Sequence, residues 1–179
     1  MAAAASIRRA TRDDVDALVA LVESAYRGEA SRAGWTTEAD LLGGRRTDAT
    51  DVRACLDRPH SQILVAEDGG RLVACAHVCV EDGGGYFGMF AVTPGQQGGG
   101  LGSAVLAAAE RVVADEWGLP VMRLPVIDVR AELIAYYQRR GYARTVVHKP
   151  FPYGDERFGE PKRADLRFEV LEKVLRTDA

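Results

Sequence analysis

The chain has 179 residues, 47% of them hydrophobic and 27% charged, with a formal net charge of −3. That length suits one domain spanning residues 1–179, with a proper core. The slight acidity leaves no electrostatic footprint for nucleic acid and no basic patch for a membrane surface. No uncharged run approaches the ~18 residues of a spanning helix, and Met1-Ala2-Ala3-Ala4-Ala5 is too short for a signal peptide, so the expected location is the cytoplasm. Cys55 stands alone, and Cys75 and Cys79 on one strand would sit roughly 13 Å apart at ~3.3 Å per residue, too far to bridge. No CxxC motif or histidine cluster points to a metal.

Ile7-Arg8-Arg9-Ala10 reads as a first strand, and Val15, Leu18, Val19, Val22 and Tyr26 mark one face of a helix that stops near Gly28. The periodicity then lapses through Trp35, before a short helix through Leu41 and another from Asp48 to Leu56. Asp68-Gly69-Gly70 is a hairpin turn between strands Ser61 to Glu67 and Leu72 to Glu81. On the second strand Val73, Cys75, His77 and Cys79 share one face and Ala74, Ala76, Val78 and Val80 the other. Both faces are apolar, which predicts a central strand. His77 reads either as a hydrogen-bonded core residue or as a base. Gly83-Gly84-Gly85 turns the chain into the strand Tyr86 to Val92.

A glycine-rich stretch follows, Val92-Thr93-Pro94-Gly95-Gln96-Gln97-Gly98-Gly99-Gly100-Leu101-Gly102-Ser103, and leads into a helical pattern from Leu101 to Trp117. Strand, glycine-rich turn, helix is the layout of a phosphate cradle: glycines let successive N–H groups converge, and the helix N-terminus adds its unpaired donors and its dipole. A flexible surface turn is the plainer reading. A P-loop would need Lys-Ser/Thr after the last glycine, and Leu101-Gly102-Ser103-Ala104 stands there instead. A dinucleotide fingerprint is met only loosely by Gly98, Gly100 and Ser103, and it arrives too late in the chain to complete a doubly wound sheet.

Val121 to Asp128 is the next strand, and its Pro125 cannot donate to a ladder, which suits an edge or a bulge. The segment Arg130 to Tyr142 reads as a helix closed by Gly141. Strands Ala143 to His148 and Leu166 to Val170 follow. Between them Pro150 to Pro161 forms a long connection with three aromatics, Phe151, Tyr153 and Phe158, as a specificity loop would have.

Gln97-x-x-Gly100-x-Gly102 resembles the Q/R-x-x-G-x-G/A signature of the GNAT-type N-acetyltransferases, and the segment from Arg130 resembles that family's N-x-x-A-x-x-x-Y-x-x-x-G-F. Tyr137 falls on the Tyr, Gly141 on the Gly and Tyr142 on the Phe, while Arg130 replaces the usual Asn and Leu133 the usual Ala. The resemblance covers nearly the whole chain. It implies an α/β (α+β) fold with a central mixed, mostly antiparallel sheet of about seven strands, flanked by helices and splayed between the fourth and fifth strands.

The resemblance further implies acetyl-coenzyme A as co-substrate, no metal, and direct acetyl transfer to a primary amine on a small molecule or peptide. Coenzyme contacts fall on Phe90, Ala91, Val92, Gln97, Gly98, Gly99, Gly100, Leu101, Gly102 and Ser103, with Arg130 reaching a phosphate. Tyr137 stands by the departing sulfur, and an N–H near Ala91 or Val92 meets the oxyanion. An amine of pKa ~10.4 is neutral only about once in 2,500 at pH 7, so something must take a proton. The strand before the cradle offers no carboxylate, leaving Glu81, Asp82, Glu38, Asp128 or His77. The acceptor pocket is expected from the loops around Trp35 and Phe158, with Glu38 and Asp155 or Glu156 giving negative charge for a cationic amine. A non-catalytic acyl-coenzyme A binding module is the competing reading, and a homodimer is left open.

Overall fold

The structure, a computed structural model, describes residues 4–27, 37–155 and 159–175. In chain order these form β1 (Ser6–Arg9), a 3-10 turn (Arg12–Asp14), α1 (Val15–Tyr26), β2 (Leu42–Gly43), α2 (Ala49–Asp57), β3 (Ser61–Asp68), β4 (Arg71–Glu81) and β5 (Gly84–Val92). Then come α3 (Leu101–Arg111), continued by a π turn (Val112–Glu116), β6 (Val121–Ile127), α4 (Ala131–Gln138), β7 (Ala143–Pro150), β8 (Glu160–Pro161) and β9 (Arg167–Val174).

Seven strands build the main sheet in the order β1-β3-β4-β5-β6-β9-β7. Every neighbouring pair is antiparallel except β5 and β6. Those two run parallel and are paired only at Gly85 with Met122 and Tyr86 with Arg123. Beyond that seam they are no longer paired, between the fourth and fifth strands of the sheet.

β4 is central, as its two apolar faces predict. Ala74, Ala76 and Val78 pack with Val105, Leu106 and Ala109 of α3, whereas Cys75 joins Val15, Leu18 and Val22 of α1 and Val52 of α2. Each fully buried Leu or Val of this kind contributes about 1.5–3 kcal/mol. α2 starts where Asp48 accepts a hydrogen bond from the Asp51 N–H at 2.9 Å, an N-cap that satisfies one of the helix's orphan donors. In β5 the register against β4 shifts between Cys75 and His77, and Met89 there has a φ of 47°, the mark of a bulge.

Two expectations change. Among the described residues no helix runs through Leu41: residues 39–41 form a turn that passes directly into β2, closed where the N–H groups of Leu41 and Leu42 both donate to Glu38 O at 2.9 and 2.8 Å. The long connection after β7 comes back to meet it, Leu42 pairing with Pro161 and Gly43 with Glu160 in a separate two-stranded sheet. Trp35 and Phe158, expected to line the acceptor pocket, lie outside the described residues.

Candidate active site

The glycine-rich turn delivers an open helix end. Gly100 is the N-cap of α3, with a φ of 83° that suits glycine and no side-chain cap. The first helical bond is Ala104 N–H to Gly100 O at 3.0 Å, so the N–H groups of Leu101, Gly102 and Ser103 precede the ladder without intrahelical partners. Gln97 closes the base of the turn, its Nε2 donating to Val92 O at 3.2 Å. A cavity of about 350 Å3 lies over these groups and is lined by Val92, Gln97, Gly98, Gly100, Gly102 and Ser103. Gly102 keeps the packing close: a Cβ there would stand 3.0 Å from Phe90 Cζ and 3.1 Å from the Tyr136 hydroxyl, so those rings would have to give by a few tenths of an ångström.

Two cations at this cavity escaped the sequence reading, Arg139 and Arg140. Arg140 Nε and Nη2 donate to Ser103 Oγ at 2.9 and 2.7 Å, Nη1 donates to Tyr136 O at 2.9 Å, and the guanidinium lies 3.5 Å over the Tyr136 ring. Their signal was present as two basic residues at the end of a helix, which the dipole alone would account for. Arg130 is elsewhere. It occupies the N-cap position of α4 without a side-chain cap and turns to Glu38 at 3.3 Å, and it lines the large cavity rather than the one over the glycine-rich turn.

A second cavity, about 860 Å3, occupies the gap between β5 and β6, and Phe90 lines both. Pro125 faces it two residues past the last β5–β6 pair, where no parallel ladder remains for its missing N–H to interrupt. Tyr137 lines it as well. Its ring sits 5.3 Å from Tyr136, 5.8 Å from Tyr142 and 6.5 Å from both Phe87 and Phe90, and its hydroxyl has no hydrogen bond among the described residues. Burial pushes that phenol well above its ordinary pKa, so it is a proton donor at neutral pH.

Strand alternation decides which β5 amides face the gap. Thr93 N–H donates to Val73 O at 2.9 Å, so the N–H of Ala91 also points toward β4 while that of Val92 points away from it. Ala91 is thereby turned from the oxyanion role expected of it. Phe90 faces the gap too, for its carbonyl accepts the Tyr26 hydroxyl from α1.

The carboxylates separate by placement. Glu81 and Asp82 line the large cavity. Asp128 is taken by Arg167 at 2.5 Å and is not among the lining groups. His77 is a core residue, its ring 2.7 Å from Ser61 Oγ and 3.8 Å from Cys55 Sγ, and burial followed by the nearby Arg58 charge lowers its pKa to about 4. His77 is not among the groups that line the large cavity, and its lowered pKa makes it a weak proton acceptor: His77→Gln should leave the pH dependence of turnover unmoved, and a lost limb in that profile would restore its candidacy. Glu38 lines the large cavity but is not free to hold a cationic amine, because Arg27 and Arg130 both pair with it. Burial would raise its pKa, yet Arg130, Arg46 and Arg27 together outweigh that and hold it below the usual carboxylate value.

Among the described residues no three His, Cys, Asp or Glu side chains gather as a metal site, and no helix is long and apolar enough to cross a membrane.

Comparison with known proteins agrees with this geometry. The chain resembles a mycothiol acetyltransferase from Salinispora tropica at 29% identity over 146 residues, covering 79% of this chain but only 45% of that protein's length. The fold is shared with the ribosomal-protein-S18-alanine N-acetyltransferase of Escherichia coli (TM-score 0.70, 16% identity, 98% of this chain and 96% of that one). It is shared also with yncA of Salmonella typhimurium, whose structure holds its cofactor acetyl-CoA (TM-score 0.69, 21% identity, 99% and 97%). The family model described as Acetyltransferase (GNAT) family matches residues 18–142, from α1 through the cradle to the end of the tyrosine helix, and the chain belongs to that family.

Proposed function

We propose that the protein is an N-acetyltransferase that moves the acetyl group of acetyl-coenzyme A to a primary amine by direct attack. The observation that carries this reading is the uncapped N-terminus of α3 beside a gap in the sheet lined by Tyr137, whose hydroxyl has no hydrogen bond among the described residues. The residues fit the coenzyme: a Cβ built on Gly100 would meet no protein atom within 4 Å, which leaves the cradle open to a pyrophosphate. When bound, acetyl-coenzyme A supplies a thioester whose thiolate leaves readily.

The chain's own groups do the rest. The N–H groups of Leu101 to Ser103, with Arg139 and Arg140, hold the pyrophosphate. The outward amides of Phe90 and Val92 offer ladder partners to an extended arm in the gap and an N–H for the carbonyl oxygen as it gains charge. Tyr137 donates toward the departing sulfur. The thiol's pKa of ~8.5 lies below that of a phenol, so full proton transfer is uphill and its gain is modest. Glu81, half-buried in the cavity and without an ion pair among the described residues, receives the amine's proton through water.

Thiol release from acetyl-coenzyme A, measured across amino acids, polyamines, aminoglycosides and peptides, tests the reading. A protein that binds coenzyme A tightly yet frees thiol with none of them is a binding module instead. The cradle has its own test. Gly100→Val puts a β-branched residue at a positive φ and its side chain where the pyrophosphate must pass, so calorimetry should show coenzyme A affinity falling at least tenfold, ~1.4 kcal/mol. Unchanged affinity in a folded variant would place the coenzyme elsewhere.

A further inference from the structure

One end of the large cavity carries more positive charge than the structure uses. Arg27 and Arg130 take the two oxygens of Glu38, the Arg130 contact being 3.3 Å. Arg46 also lines this cavity and is half-buried, yet its guanidinium makes no hydrogen bond or ion pair among the described residues. It lies 5.5 Å over the Tyr26 ring. Its backbone is fixed from behind, Glu23 Oε1 accepting the N–H groups of Arg46 and Thr47 at 2.5 and 2.8 Å. Arg27 is under-satisfied as well: its side chain is 4% exposed, and Nε and Nη2 have no hydrogen-bond partner among the described residues.

Among the described residues the charges facing one another at this end are Arg27, Arg46 and Arg130 against Glu38 and Glu23, an excess of one cation. Holding guanidinium groups out of water costs free energy unless an anion answers them. The cluster adjoins the reacting centre, because the ring beneath Arg46 belongs to Tyr26, whose hydroxyl holds the carbonyl of Phe90, and Phe90 touches Tyr137.

We propose that the acceptor is an amino-acid-type molecule, a primary amine that also carries a carboxylate, and that Arg46 receives that carboxylate. This rests on the acetyltransferase reading above and names its substrate class. A single excess positive charge matches a monoanion better than a phosphate dianion, and a free guanidinium fork matches the two oxygens of a carboxylate. The same cations favour the neutral form of an amine beside them, which is the form that attacks. The acceptor is thus chosen by its acid end, the reverse of the acidic pocket for a cationic amine expected from Glu38.

The test uses acetyl-coenzyme A and the twenty α-amino acids with β-alanine and 4-aminobutyrate, each beside its primary amide, together with spermidine. Some acid should exceed its amide at least tenfold in kcat/KM, and Arg46→Gln should collapse that ratio toward one through KM, with coenzyme A affinity held at the cradle. Arg46→Lys, which keeps the charge without the fork, should restore part of it. Preference for amides or spermidine, or an Arg46→Gln loss equal for acid and amide, overturns the proposal while leaving the acetyltransferase reading intact. If no amine releases thiol, calorimetric titration of the acids into the protein, with and without coenzyme A, decides: binding that depends on Arg46 upholds the site and its absence refutes it. Failure of coenzyme A itself to bind is a separate result, and it removes the function rather than the anion site.

Discussion

Tyr137→Phe should lower kcat about 10-fold to 100-fold while the KM for acetyl-coenzyme A changes little. Tyr137 lines the cavity and its hydroxyl makes no hydrogen bond among the described residues, so its removal orphans none of them and the ring contacts with Tyr136, Tyr142, Phe87 and Phe90 stay in place. A loss confined to turnover is what an interaction made only in the transition state predicts. The range sits at the weak end of acid–base catalysis because a thiolate leaves unaided. Wild-type turnover in steady-state kinetics, with an unchanged melting temperature, would reduce Tyr137 to a packing residue.

The largest stability effect is expected at Glu38. Glu38→Gln leaves Arg27 buried without a counter-charge, and breaking a buried pair in this way costs about 3–5 kcal/mol. Urea denaturation at pH 7 should show it directly. The sign with pH follows from the depressed carboxyl: a group whose folded pKa lies below its unfolded value contributes fully above the unfolded pKa, ~4.3, and loses that contribution as pH falls through the folded one. The gap between wild type and Glu38→Gln should therefore be constant near neutrality and close on acidification below pH ~4. A gap that widens there would mean that Glu38 is not held as a carboxylate.

Local chemistry explains what the sequence made legible. Gly98, Gly100 and Gly102 announce the open turn before α3, because the first two take a positive φ that favours glycine and the third lets Phe90 and Tyr136 approach closely. Asp68-Gly69-Gly70 announces its hairpin, and the double apolar face of β4 announces its central place. Pro125 announced an irregular place in the ladder from a single missing donor, and the resemblance implied the splay beside it.

What remained hidden depends on residues far apart in the chain. Ser103 meets Arg140 across 37 positions and Glu38 meets Arg130 across 92, and no periodicity or spacing carries such pairings. β2 and β8 are two residues each and exist only because they find one another, so propensity could not reveal them. Glu38 illustrates the cost of reading charge by residue type. Glu38 beside Trp35, with Asp155 or Glu156, suggested a site for a cationic amine, and the arginines that surround Glu38, Arg27, Arg46 and Arg130, come from outside that loop.

The seam of two residue pairs between β5 and β6 makes the sheet, mechanically, two plates: four strands on one side and three on the other. Amides that face the gap from Phe90 and Val92 have no rung to shield them and should exchange with deuterium quickly in the empty protein. An extended ligand lying in the gap would supply those rungs to both plates at once. At a hundred times its Kd it would add about 2.7 kcal/mol of stability, and slowed exchange should appear first on the two strands that the ligand joins.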